Sequence, residues 1–577
     1  MNNQHFINKA FRVFAFNSIL SSAGVVLGTF IDAVILGNVL GQAGLSALAV
    51  AMPVYMIYNL IAFAFGIGGS LAVSEAIGNE DEKQIEKWFT QTLAFSLMAG
   101  LFMAVLAFVF RQSFIDLMGG AGVEGASAYL IPVFVTAPVF IVTPVLSLMI
   151  RSDANPLLST IGISISVIVN LILDLLFVVV LNWGIGGAAY AMVIGQACAL
   201  LVYGLHFIKK HCRLKLTRFS FRLSDAGRLF KNGFGVASVY VYQGLLLIVV
   251  NQLLSNQSGS EGLAIYNAFF NVSLFAYAIF DGVSLALAPL IGTFNGEKDL
   301  EGVYETMRLA LMTAVFLSVV CGLVLILFAE PISELFGLHS ELLVKTFKIF
   351  SLAAIPTCIN CVMATFYQTI KRNRLASAIF LLRGLILPII FSAVFIPRYD
   401  VAGTAMALLG SELLTIIILL TVAGIVKKRN GYDNLLLYEK PVFNKDAIYE
   451  NQLASDLTKL ALLADEISEF CESHEIDMKT AYYINLTIEE LSANIIKFGF
   501  ADGKEHYISI KIAVFEEDIY VRLRDDSMTY NPFEEPDHSD EAMDYLGVSI
   551  IRQKAKDFAY NRTLVFNNLL IISGCHV

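Results

Sequence analysis

Hydrophobic runs long enough to cross a membrane recur along this 577-residue chain as far as residue 427. A helix of about 20 apolar residues spans the bilayer core and satisfies its own backbone hydrogen bonds there. The sequence therefore predicts an all-α polytopic membrane domain over this region. Its twelve predicted transmembrane helices lie at about 12–36, 46–75, 88–110, 127–150, 157–181, 187–208, 233–254, 262–292, 304–329, 342–370, 375–396 and 401–426.

The composition supports this prediction and limits the partners of the chain. Hydrophobic residues make up 57% of it and charged residues only 15%, a balance that soluble proteins of this length do not have. The formal net charge of −10 argues against nucleic acid as a partner, because nucleic-acid binding needs a basic surface. The seven cysteines show neither disulfide nor metal-site spacing.

Most lysines and arginines of the connections fall on one side of the predicted spans. Three connections on the other side, at 38–44, 182–186 and 330–341, contain neither residue. Because basic connections stay in the cytoplasm, the sequence predicts a multi-pass protein of the cell membrane with both termini cytoplasmic. The basic residues in question are Lys209, Lys210, Arg213, Lys215, Arg218, Arg222, Arg228, Lys231, Lys371, Arg372, Arg374, Lys427, Lys428 and Arg429.

The predicted spans form an internal duplication. The segment GLSALAVA from Gly44 aligns with GLAIYNAF from Gly262, and the polar loop at Gly78 aligns with that at Gly296. Both pairs are 218 positions apart (262 − 44 and 296 − 78). A six-span repeat keeps its orientation on duplication, which gives two pseudo-twofold six-helix lobes around a central cavity. We expect these lobes at residues 1–215 and 216–428.

Beyond residue 428 the sequence becomes polar and soluble in character. We expect a linker at 429–446 and a domain at 447–577 that is large enough for one compact core. Helical spacing of apolar residues predicts helices over Tyr449–His474, 478–498 and Val548–Phe558. Alternating patterns at 508–512 and 519–523 predict strands, and a final hairpin is predicted near Asn567 and Asn568. The tail is thus predicted to be a two-layer α/β domain.

Two polar residues stand out inside the fifth span. Asn170 and Asp174 are four residues apart, so they share one face of a helix. A carboxylate at such a depth costs about 2.5–3.5 kcal/mol on insertion scales. It is either a buried, hydrogen-bonded group that fixes helix packing or an ion or proton site. Asp32 in the first span is the expected partner, whereas Glu412 in the twelfth span has no partner that the sequence suggests.

Residues 1–427 resemble a transporter of the multidrug and toxin extrusion (MATE) family. The resemblance rests on Asp32-Ala-Val-Ile-Leu-Gly37 in the first span, the polar Gly78 loop, and Asn170-x-x-x-Asp174 followed by Gly187-Ala-Ala. It implies a coupling-cation site lined by Asp32, Asn170 and Asp174 in the N-terminal lobe. It also implies antiport of H⁺ or Na⁺ against an organic small molecule, with alternating access of the cavity.

The chain departs from that family at several positions. Met192 stands where some members have a hydroxyl residue in the sixth span. Spans seven and ten, which carry acidic residues in some members, offer Gln243 and Asn360 instead. Cation coupling is therefore expected to rest on the N-terminal lobe. Flippases for lipid-linked precursors share the superfold and usually have a basic cavity, whereas Arg383 is the clear in-span cation here. This difference favours cationic or neutral cargo.

The tail carries three ordered blocks that point to nucleotide chemistry. In IEELSANIIKFGF, Glu490 and Asn494 share one helix face, which suits a base beside an amide ligand of Mg²⁺. LRDDSMTYNPF follows a strand, and in DYLGVSIIRQKAKD Gly547 opens a helix whose N-terminus can hold phosphate. The blocks resemble the ATPase-like kinase domain of anti-sigma regulatory factors, which is related to histidine kinases.

That resemblance implies roles for four residues of the tail. Glu490 would be the catalytic base, Asn494 the Mg²⁺ ligand, Asp525 the adenine contact, and Gly547 part of the nucleotide-binding loop. Ser527 and Tyr545 stand where that family has glycine, which restricts the backbone around the nucleotide. We expect the tail to bind ATP and Mg²⁺, whereas the resemblance does not by itself predict ATP hydrolysis or phosphoryl transfer. Serine/threonine kinase activity and a domain that only binds a cytoplasmic regulatory protein both stay open.

The sequence therefore favours a secondary active exporter of organic, cationic small molecules with a nucleotide-binding regulatory tail. Two alternatives stand beside it. One is a membrane-tethered anti-sigma-like kinase whose spans sense a ligand. The other is a flippase for lipid-linked precursors. A cation-coupled transporter is expected to need the span carboxylates, whereas a tethered kinase is expected to need only its nucleotide pocket.

Overall fold

Helices account for almost all of the chain as far as residue 430. The computed structural model describes residues 4–78, 81–153, 155–208, 212–296, 300–430, 432, 436–437, 448–454, 460–500, 506–515, 518–528, 530–533, 546–563 and 566–574. The helices before the tail are α1 Gln4–Gly78, α2 Glu82–Val109, α3 Arg111–Leu117, α4 Ala126–Val135, α5 Ala137–Ser152, α6 Pro156–Asp174, α7 Gly184–Gly204, α8 Leu223–Gly296, α9 Leu300–Leu327, α10 Ala329–Leu335, α11 Glu341–Thr369, α12 Asn373–Leu381, α13 Leu387–Tyr399 and α14 Ala402–Asn430.

The apolar helices establish a multi-pass membrane protein. Within the described ranges, nine helices are long and apolar enough to cross a membrane, or ten if α4 and α5, which meet at 57°, form one span. The helix α1 has 75 residues, which at 1.5 Å per residue is several times the roughly 30 Å of the bilayer core. Both α1 and α8 are in fact two helices that meet at a kink.

The kinks and turns of the backbone repeat along the chain. Gly41 in α1 has φ 58° and ψ −140°, and Gly259 in α8 has φ 60° and ψ −141°. Glycine populates this left-handed region without the steric cost of a Cβ atom. Two further positive-φ pairs, Gly119 with Gly337 and Asn182 with Asp400, have the same separation of 218 (259 − 41, 337 − 119 and 400 − 182). The duplication in the sequence is therefore also a duplication of backbone geometry.

Three helices contain a wider, π-type turn. Leu175–Val180 follows α6 directly, Leu382–Ile386 joins α12 to α13, and Ile495–Gly499 continues α16 of the tail (Met478–Asn494). Such turns interrupt the regular hydrogen-bond ladder and are frequent at functional sites. Here each lies beside or contains a polar residue that is described below.

The elements of the tail are β1 Ile448–Ala454, α15 Leu460–Ser473, α16 Met478–Asn494, β2 Tyr507–Phe515, β3 Asp518–Asp525, α17 Leu546–Lys554, β4 Asp557–Thr563 and β5 Phe566–Gly574. The five strands form an antiparallel sheet in the order β1-β2-β3-β5-β4. The apolar faces of the sheet and of α15 and α16 form a core that includes Ile467, Ile488, Ile510, Val521 and Leu569. This confirms a small domain that combines helices with a sheet.

Three expectations for the tail were wrong in part. The predicted helix Tyr449–His474 begins as strand β1, whose residues 448–454 pair with 507–513 of β2. Pairing with the edge of the sheet is more favourable for this segment than the helix that its apolar spacing predicts. The helix predicted over Val548–Phe558 ends at Lys554, and Phe558 lies in β4. The final hairpin exists, but it closes at the pair Thr563 and Phe566. Asn567 and Asn568 therefore belong to β5. Tyr545 and most of the linker predicted at 429–446 lie outside the described residues.

The chain separates into two compact units. One contains Met1–Asn17, Leu285–Leu311 and Ala423–Val577, and the other contains Ser18–Ser284 and Met312–Val422. The first unit therefore joins the tail to the start of α1, to the C-terminal end of α8 and to the start of α9. The lobe boundaries expected from the sequence remain predictions.

Candidate functional sites

Asp32, Asn170 and Asp174 come together in the N-terminal half of the span region. Asp32 lies in α1 and is 7% exposed, while Asp174 ends α6 and is fully buried. The Asn170 amide Nδ2 donates to Asp174 Oδ2 at 2.9 Å. The carboxyl groups of Asp32 and Asp174 also interact directly as hydrogen-bond partners. The sequence therefore identified a real cluster, here called the N-half site.

The local packing explains how α6 presents these groups. Gly195 of α7 lies against α6, where an added Cβ would come within 2.6 Å of the Ser166 carbonyl oxygen and 3.2 Å of Asn170 Cβ. The absence of a side chain at this position lets the two helices approach closely. The π-type turn that begins at Leu175 then widens α6 immediately after Asp174.

Two tyrosines complete the N-half site, and the sequence assigned neither of them to it. The hydroxyl groups of Tyr55 and Tyr129 lie 3.1 Å apart, and both are close enough to interact electrostatically with Asp32 and Asp174. The Tyr129 hydroxyl also donates to Met192 Sδ at 3.9 Å. Some MATE family members have a hydroxyl residue at the position of Met192. In this chain Tyr129 of α4 places a hydroxyl group beside Met192 instead. Its helical position alone gave no signal, because aromatic residues are common in spans.

The N-half site has carboxyl oxygens that are available to bind a cation. Asp32 Oδ1 and Asp174 Oδ1 are both buried and lack a hydrogen-bond partner. Two adjacent carboxylates in an apolar setting repel each other, so the pair must share a proton or another cation. An unsatisfied buried oxygen costs about 1–3 kcal/mol, and more when it is charged. Both an added proton and a small metal cation such as Na⁺ fit this donor set.

The C-terminal half has a different cluster around Glu412 of α14, here called the C-half cluster. Arg383 Nη2 donates to Glu412 Oε1 at 2.8 Å, and Nε donates to the same carboxylate at 3.1 and 3.2 Å. Asn360 Nδ2 of α11 donates to Glu412 Oε2 at 2.7 Å. Glu412 had no partner in the sequence analysis because its ligands come from two other helices.

The same arginine also reaches toward a second carboxylate. Arg383 Nη1 donates to Cys361 Sγ at 3.1 Å, and Cys361 is in turn hydrogen-bonded to Asp281 of α8. Arg383 lies inside the π-type turn of residues 382–386. The C-half cluster therefore contains its own permanent cation, whereas no Lys or Arg contacts Asp32 or Asp174 among the described residues.

In the tail, Glu490, Asn494 and Gly547 lie close together. An added Cβ on Gly547 would come within 2.3 Å of Glu490 Oε2, so the glycine lets the Glu490 side chain lie against the backbone here. Asn494 is 5% exposed, and its amide nitrogen donates to the Glu490 carbonyl at 2.9 Å. That contact uses the nitrogen, whereas an amide binds Mg²⁺ through its oxygen. The arrangement is compatible with a metal ligand at Asn494.

Asp525 lies at the end of β3 and keeps one oxygen for a ligand. Its Oδ1 accepts hydrogen bonds from the Ser527 amide at 3.0 Å and from Asn567 Nδ2 at 2.9 Å. Its Oδ2 is buried and has no partner. Burial raises the pKa of Asp525, although the hydrogen bonds from Ser527 and Asn567 oppose that shift. The free acceptor is what an adenine amino group requires, so this residue fits the predicted contact.

The next residue, Asp526, connects the tail to α1. Lys9 Nζ of α1 donates to Asp526 Oδ2, and the Tyr507 amide donates to Oδ1 at 3.0 Å. Burial alone would raise the pKa of Asp526, but the hydrogen bond and charge of Lys9, the Tyr507 amide and the charge of His506 hold it below its usual value. The Asp526 side chain is fully buried, whereas that of Lys9 is 40% exposed.

Aromatic contacts reinforce this junction within the same compact unit. The rings of Phe6 in α1 and Phe566 in β5 meet edge to face, with centroids 5.3 Å apart. The guanidinium of Arg524 lies 5.5 Å from the ring centroid of Phe294 in α8 and 5.9 Å from that of Phe566. The end of β3 thus contacts both of the long kinked helices.

Comparisons with known proteins agree with both parts of the chain. The MatE family model matches residues 18–176 and 233–394, which is more than half of the chain, and a histidine kinase-like ATPase domain model matches residues 453–572. The multidrug export protein MepA of Staphylococcus haemolyticus is 24% identical over 441 residues, which cover 75% of this chain and 97% of that protein. MepA of Staphylococcus aureus strain MRSA252 is 23% identical over 405 residues, covering 68% and 88%.

Solved structures show the same fold. One is the inward-facing conformation of a multidrug resistance MATE family transporter of the MOP superfamily, with a TM-score of 0.66 and 18% identity over 72% of this chain and 99% of that one. An outward-facing conformation matches with a TM-score of 0.55 and 18% identity over 72% and 94%. The span region therefore has the helical MATE transporter fold, and the chain belongs to the MatE family.

Proposed function

We propose that this protein exports organic small molecules, mainly cationic ones, in exchange for H⁺ or Na⁺. The single observation that carries this proposal is the N-half site, where two interacting carboxyl groups each keep a buried oxygen without a partner. Binding of a cation removes the electrostatic penalty of that pair, so it changes the energy of exposing the site to either side. The multidrug export relatives support the same class of cargo.

The proposed architecture has twelve transmembrane helices in two six-helix lobes. It counts α1 and α8 as two spans each, divided at Gly41 and Gly259, and treats α4 with α5 as one span. The three positive-φ pairs with the same separation support this division. Alternating access then consists of rocking one lobe against the other around the central cavity. The basic connections support the proposal that both termini are cytoplasmic.

The test is cation-driven transport in proteoliposomes. Asp32→Asn and Asp174→Asn should each reduce uptake of an organic cation such as ethidium to background under an imposed H⁺ or Na⁺ gradient, with normal protein incorporation. Imposing each gradient separately identifies the coupling ion. Asp281→Asn is the matched control, because it neutralises an in-span carboxylate of the other half. Gradient-driven transport that persists in both N-half variants would refute the proposal.

We further propose that the tail binds ATP with Mg²⁺ and thereby regulates transport. Asp525 Oδ2 would accept the adenine amino group, Asn494 would bind Mg²⁺, and Glu490 would act as the base if phosphoryl transfer occurs. Asp525 and Asp526 are adjacent, and the Ser527 amide is bonded to the first of them. A nucleotide bound by Asp525 would therefore shift the turn of residues 525–527. Because Asp526 in that turn binds Lys9, the start of α1 would shift as well.

Two measurements separate nucleotide binding from regulation. A fluorescent ATP analogue should bind the full-length protein with Mg²⁺, and Asp525→Asn should weaken that binding by at least tenfold. Lys9→Met should leave binding intact but remove the effect of ATP on transport. Binding that is equal in wild type and Asp525→Asn would exclude the adenine contact. An effect of ATP that persists in Lys9→Met would exclude α1 as the route.

Two other functions have specific support and can be separated from export. The intact acceptor at Asp525 also suits a membrane-tethered kinase with a cytoplasmic protein substrate, for which the span carboxylates would be dispensable to phosphorylation. A flippase would need a free basic group for a pyrophosphate. Arg383 is already paired with Glu412, which favours cationic cargo.

A further inference from the structure

The connection between α7 and α8 begins beside the end of α5, on the side of the spans that carries the basic connections. Asp153 caps the C-terminus of α5, His206 lies in the turn Leu205–Ile208 after α7, and Cys212 opens the described part of the connection. A carboxylate oxygen, an imidazole nitrogen and the thiol sulfur lie within 4.8 Å of one another. In the part of the chain that the structure describes, no other group of three such side chains is this close.

Burial distinguishes the histidine and the aspartate of this group from surface residues, while Cys212 is half-buried. The side chains of His206 and Asp153 are 4% and 5% exposed, with His206 Nε2 and Asp153 Oδ2 2.8 Å apart. The Arg213 amide also donates to Asp153 Oδ2 at 3.2 Å. An ion pair accounts for the histidine and the aspartate. The Cys212 thiol donates a long hydrogen bond to the Leu214 carbonyl oxygen at 3.5 Å, and its sulfur lies beside the pair as a third potential ligand.

We propose that Asp153, His206 and Cys212 form a Zn²⁺ site. Oxygen, imidazole nitrogen and thiolate sulfur are the three donor types that zinc binds, at about 2.0, 2.0–2.1 and 2.3 Å. Tetrahedral coordination places such atoms about 3.3–3.8 Å apart. The His206–Asp153 pair therefore has to open slightly and the thiol has to approach. Three protein ligands leave the fourth position for water.

The proton balance of binding is simple. Cys212 binds as thiolate, so its thiol proton is released to water. His206 binds through Nε2, which moves the imidazole proton to Nδ1. That atom lies 3.1 Å from the side-chain amide of Asn155. A flip of the amide turns its oxygen toward Nδ1, so Asn155 becomes the outer partner that orients the histidine.

The metal would fix the start of the segment that joins the two halves. Downstream of Cys212, the Thr217 amide donates to Thr90 Oγ1 of α2 at 2.9 Å, and Gln91 Nε2 donates to the Ser220 carbonyl at 2.7 Å. The connection therefore runs along α2 after leaving the proposed site. Zinc would add a third attachment, to the end of α5, and stiffen the segment.

The test uses Co²⁺ as a spectroscopic probe on the full-length protein, purified in detergent and stripped of metal. One Co²⁺ per chain should produce a sulfur-to-cobalt charge-transfer band in the near ultraviolet, and Zn²⁺ should abolish it by displacement. Cys212→Ser should remove the band, whereas Cys198→Ser, another half-buried cysteine in the same half, should retain it. Asn155→Leu should keep the band but weaken Zn²⁺ binding by about 10–100-fold.

A second measurement needs no variant. Saturating Zn²⁺ should protect Cys212 of the wild-type protein from alkylation, as read by mass spectrometry, and chelation should restore its reactivity. No saturable band in the wild type, an unchanged band in Cys212→Ser, or alkylation that ignores Zn²⁺ would each overturn the proposal.

Discussion

The two halves of the span region share a backbone pattern but differ in the charge that they bury. Left-handed backbone recurs at Gly41 and Gly259 with the repeat separation of 218 (259 − 41). The N-half site, however, presents two carboxyl groups with unpartnered oxygens. The C-half cluster instead neutralises Glu412 with Arg383. The two halves therefore share the backbone features that shape the helices, while their side chains form a pair of carboxyl groups in one half and a buried ion pair in the other.

This difference follows from the cost of burying charge. A carboxylate in an apolar setting must be protonated, bind a cation or pair with a basic side chain. The carboxyl groups of the N-half site can only be protonated or bind a cation, and both depend on the ion concentrations on each side of the membrane. Glu412 in the C-terminal half pairs with a basic side chain, and this pairing does not depend on those concentrations. In the proposed antiport mechanism, energy coupling would therefore rest on the N-terminal half.

The largest predicted effect tests the permanent ion pair. Glu412→Gln leaves the Arg383 guanidinium buried without its counter-charge, and breaking such a pair typically costs about 3–5 kcal/mol. Asp174→Asn should instead leave the protein stable, because it removes a repulsion. Thermal unfolding in detergent should show a large decrease in melting temperature for the first variant only.

The matched control removes both charges of the pair. Arg383→Met combined with Glu412→Met should recover most of the stability that Glu412→Gln loses, since apolar replacement of a buried pair is often neutral. Equal melting temperatures for Glu412→Gln and Asp174→Asn would mean that the two halves do not differ in the way described.

The sequence predicted the helical span region and the small tail domain because the decisive signals are local. Apolar runs of helical length and alternating apolar patterns are read from neighbouring residues, and the repeat was found by aligning short segments. The Asn170 and Asp174 pair was found in the same way, by its spacing of four. In the tail, strands β2 and β3 were predicted by their alternation, whereas β1 was missed because an edge strand depends on its partner.

The contacts that the sequence did not predict all join distant segments. Arg383 and Glu412 come from separate helices, as do Tyr129 and Asp32. Lys9 reaches Asp526 across most of the chain. The cysteine spacing gave no metal signal because the proposed ligands Asp153, His206 and Cys212 follow two different helices. Tertiary packing alone brings these groups together, so no single-segment pattern contains them.

The second prediction concerns the surfaces on which the halves meet. An added Cβ on Gly37 of α1 would lie 2.3 Å from the Phe336 carbonyl oxygen, and one on Gly68 would lie 1.9 Å from the Leu229 carbonyl oxygen. Both contacts join α1 to segments of the other half, near opposite ends of the spans. Overpacking of this kind costs about 1–3 kcal/mol.

Gly37→Ala should therefore favour states in which the cavity opens on the side that lacks basic connections. Gly68→Ala should favour states in which the cavity opens on the side of the basic connections. Alkylation of single cysteines placed in the cavity, with reagent added from one side at a time, distinguishes these states. Gly24→Ala is the control, since an added Cβ there meets nothing within 4 Å. Identical accessibility in both variants would show that these contacts do not close the cavity.

A smaller effect is expected at the hydroxyl pair of the N-half site. Tyr129→Phe removes one hydrogen-bonding group beside Asp32 and Asp174 without changing the ring. A neutral hydrogen bond contributes about 0.5–1.5 kcal/mol, so the concentration of coupling ion for half-maximal transport should rise by up to about tenfold. The maximal rate should be little changed. Tyr277→Phe, near the C-half cluster, should leave this ion dependence as in the wild type.

The smallest predicted effect concerns the tail, which contacts α1 by an ion pair and α8 by an aromatic ring. Lys9 is partly exposed, so its pair with Asp526 should contribute at most about 1 kcal/mol to docking.

Since the pKa of Asp526 is lowered in the folded protein, this contribution is present above the ordinary aspartate value of about 3.9 and is lost as the pH falls through the lowered value. Titration of Asp526 should therefore not change the protease sensitivity of the tail between pH 5 and 8 in the wild type, and this sensitivity should rise slightly in Lys9→Met at every pH in that range. Phe6→Ala should expose the tail more than Lys9→Met, because it removes a buried ring contact that pH does not affect. A pH-dependent release of the wild-type tail within that range would show that a group other than Asp526 controls docking.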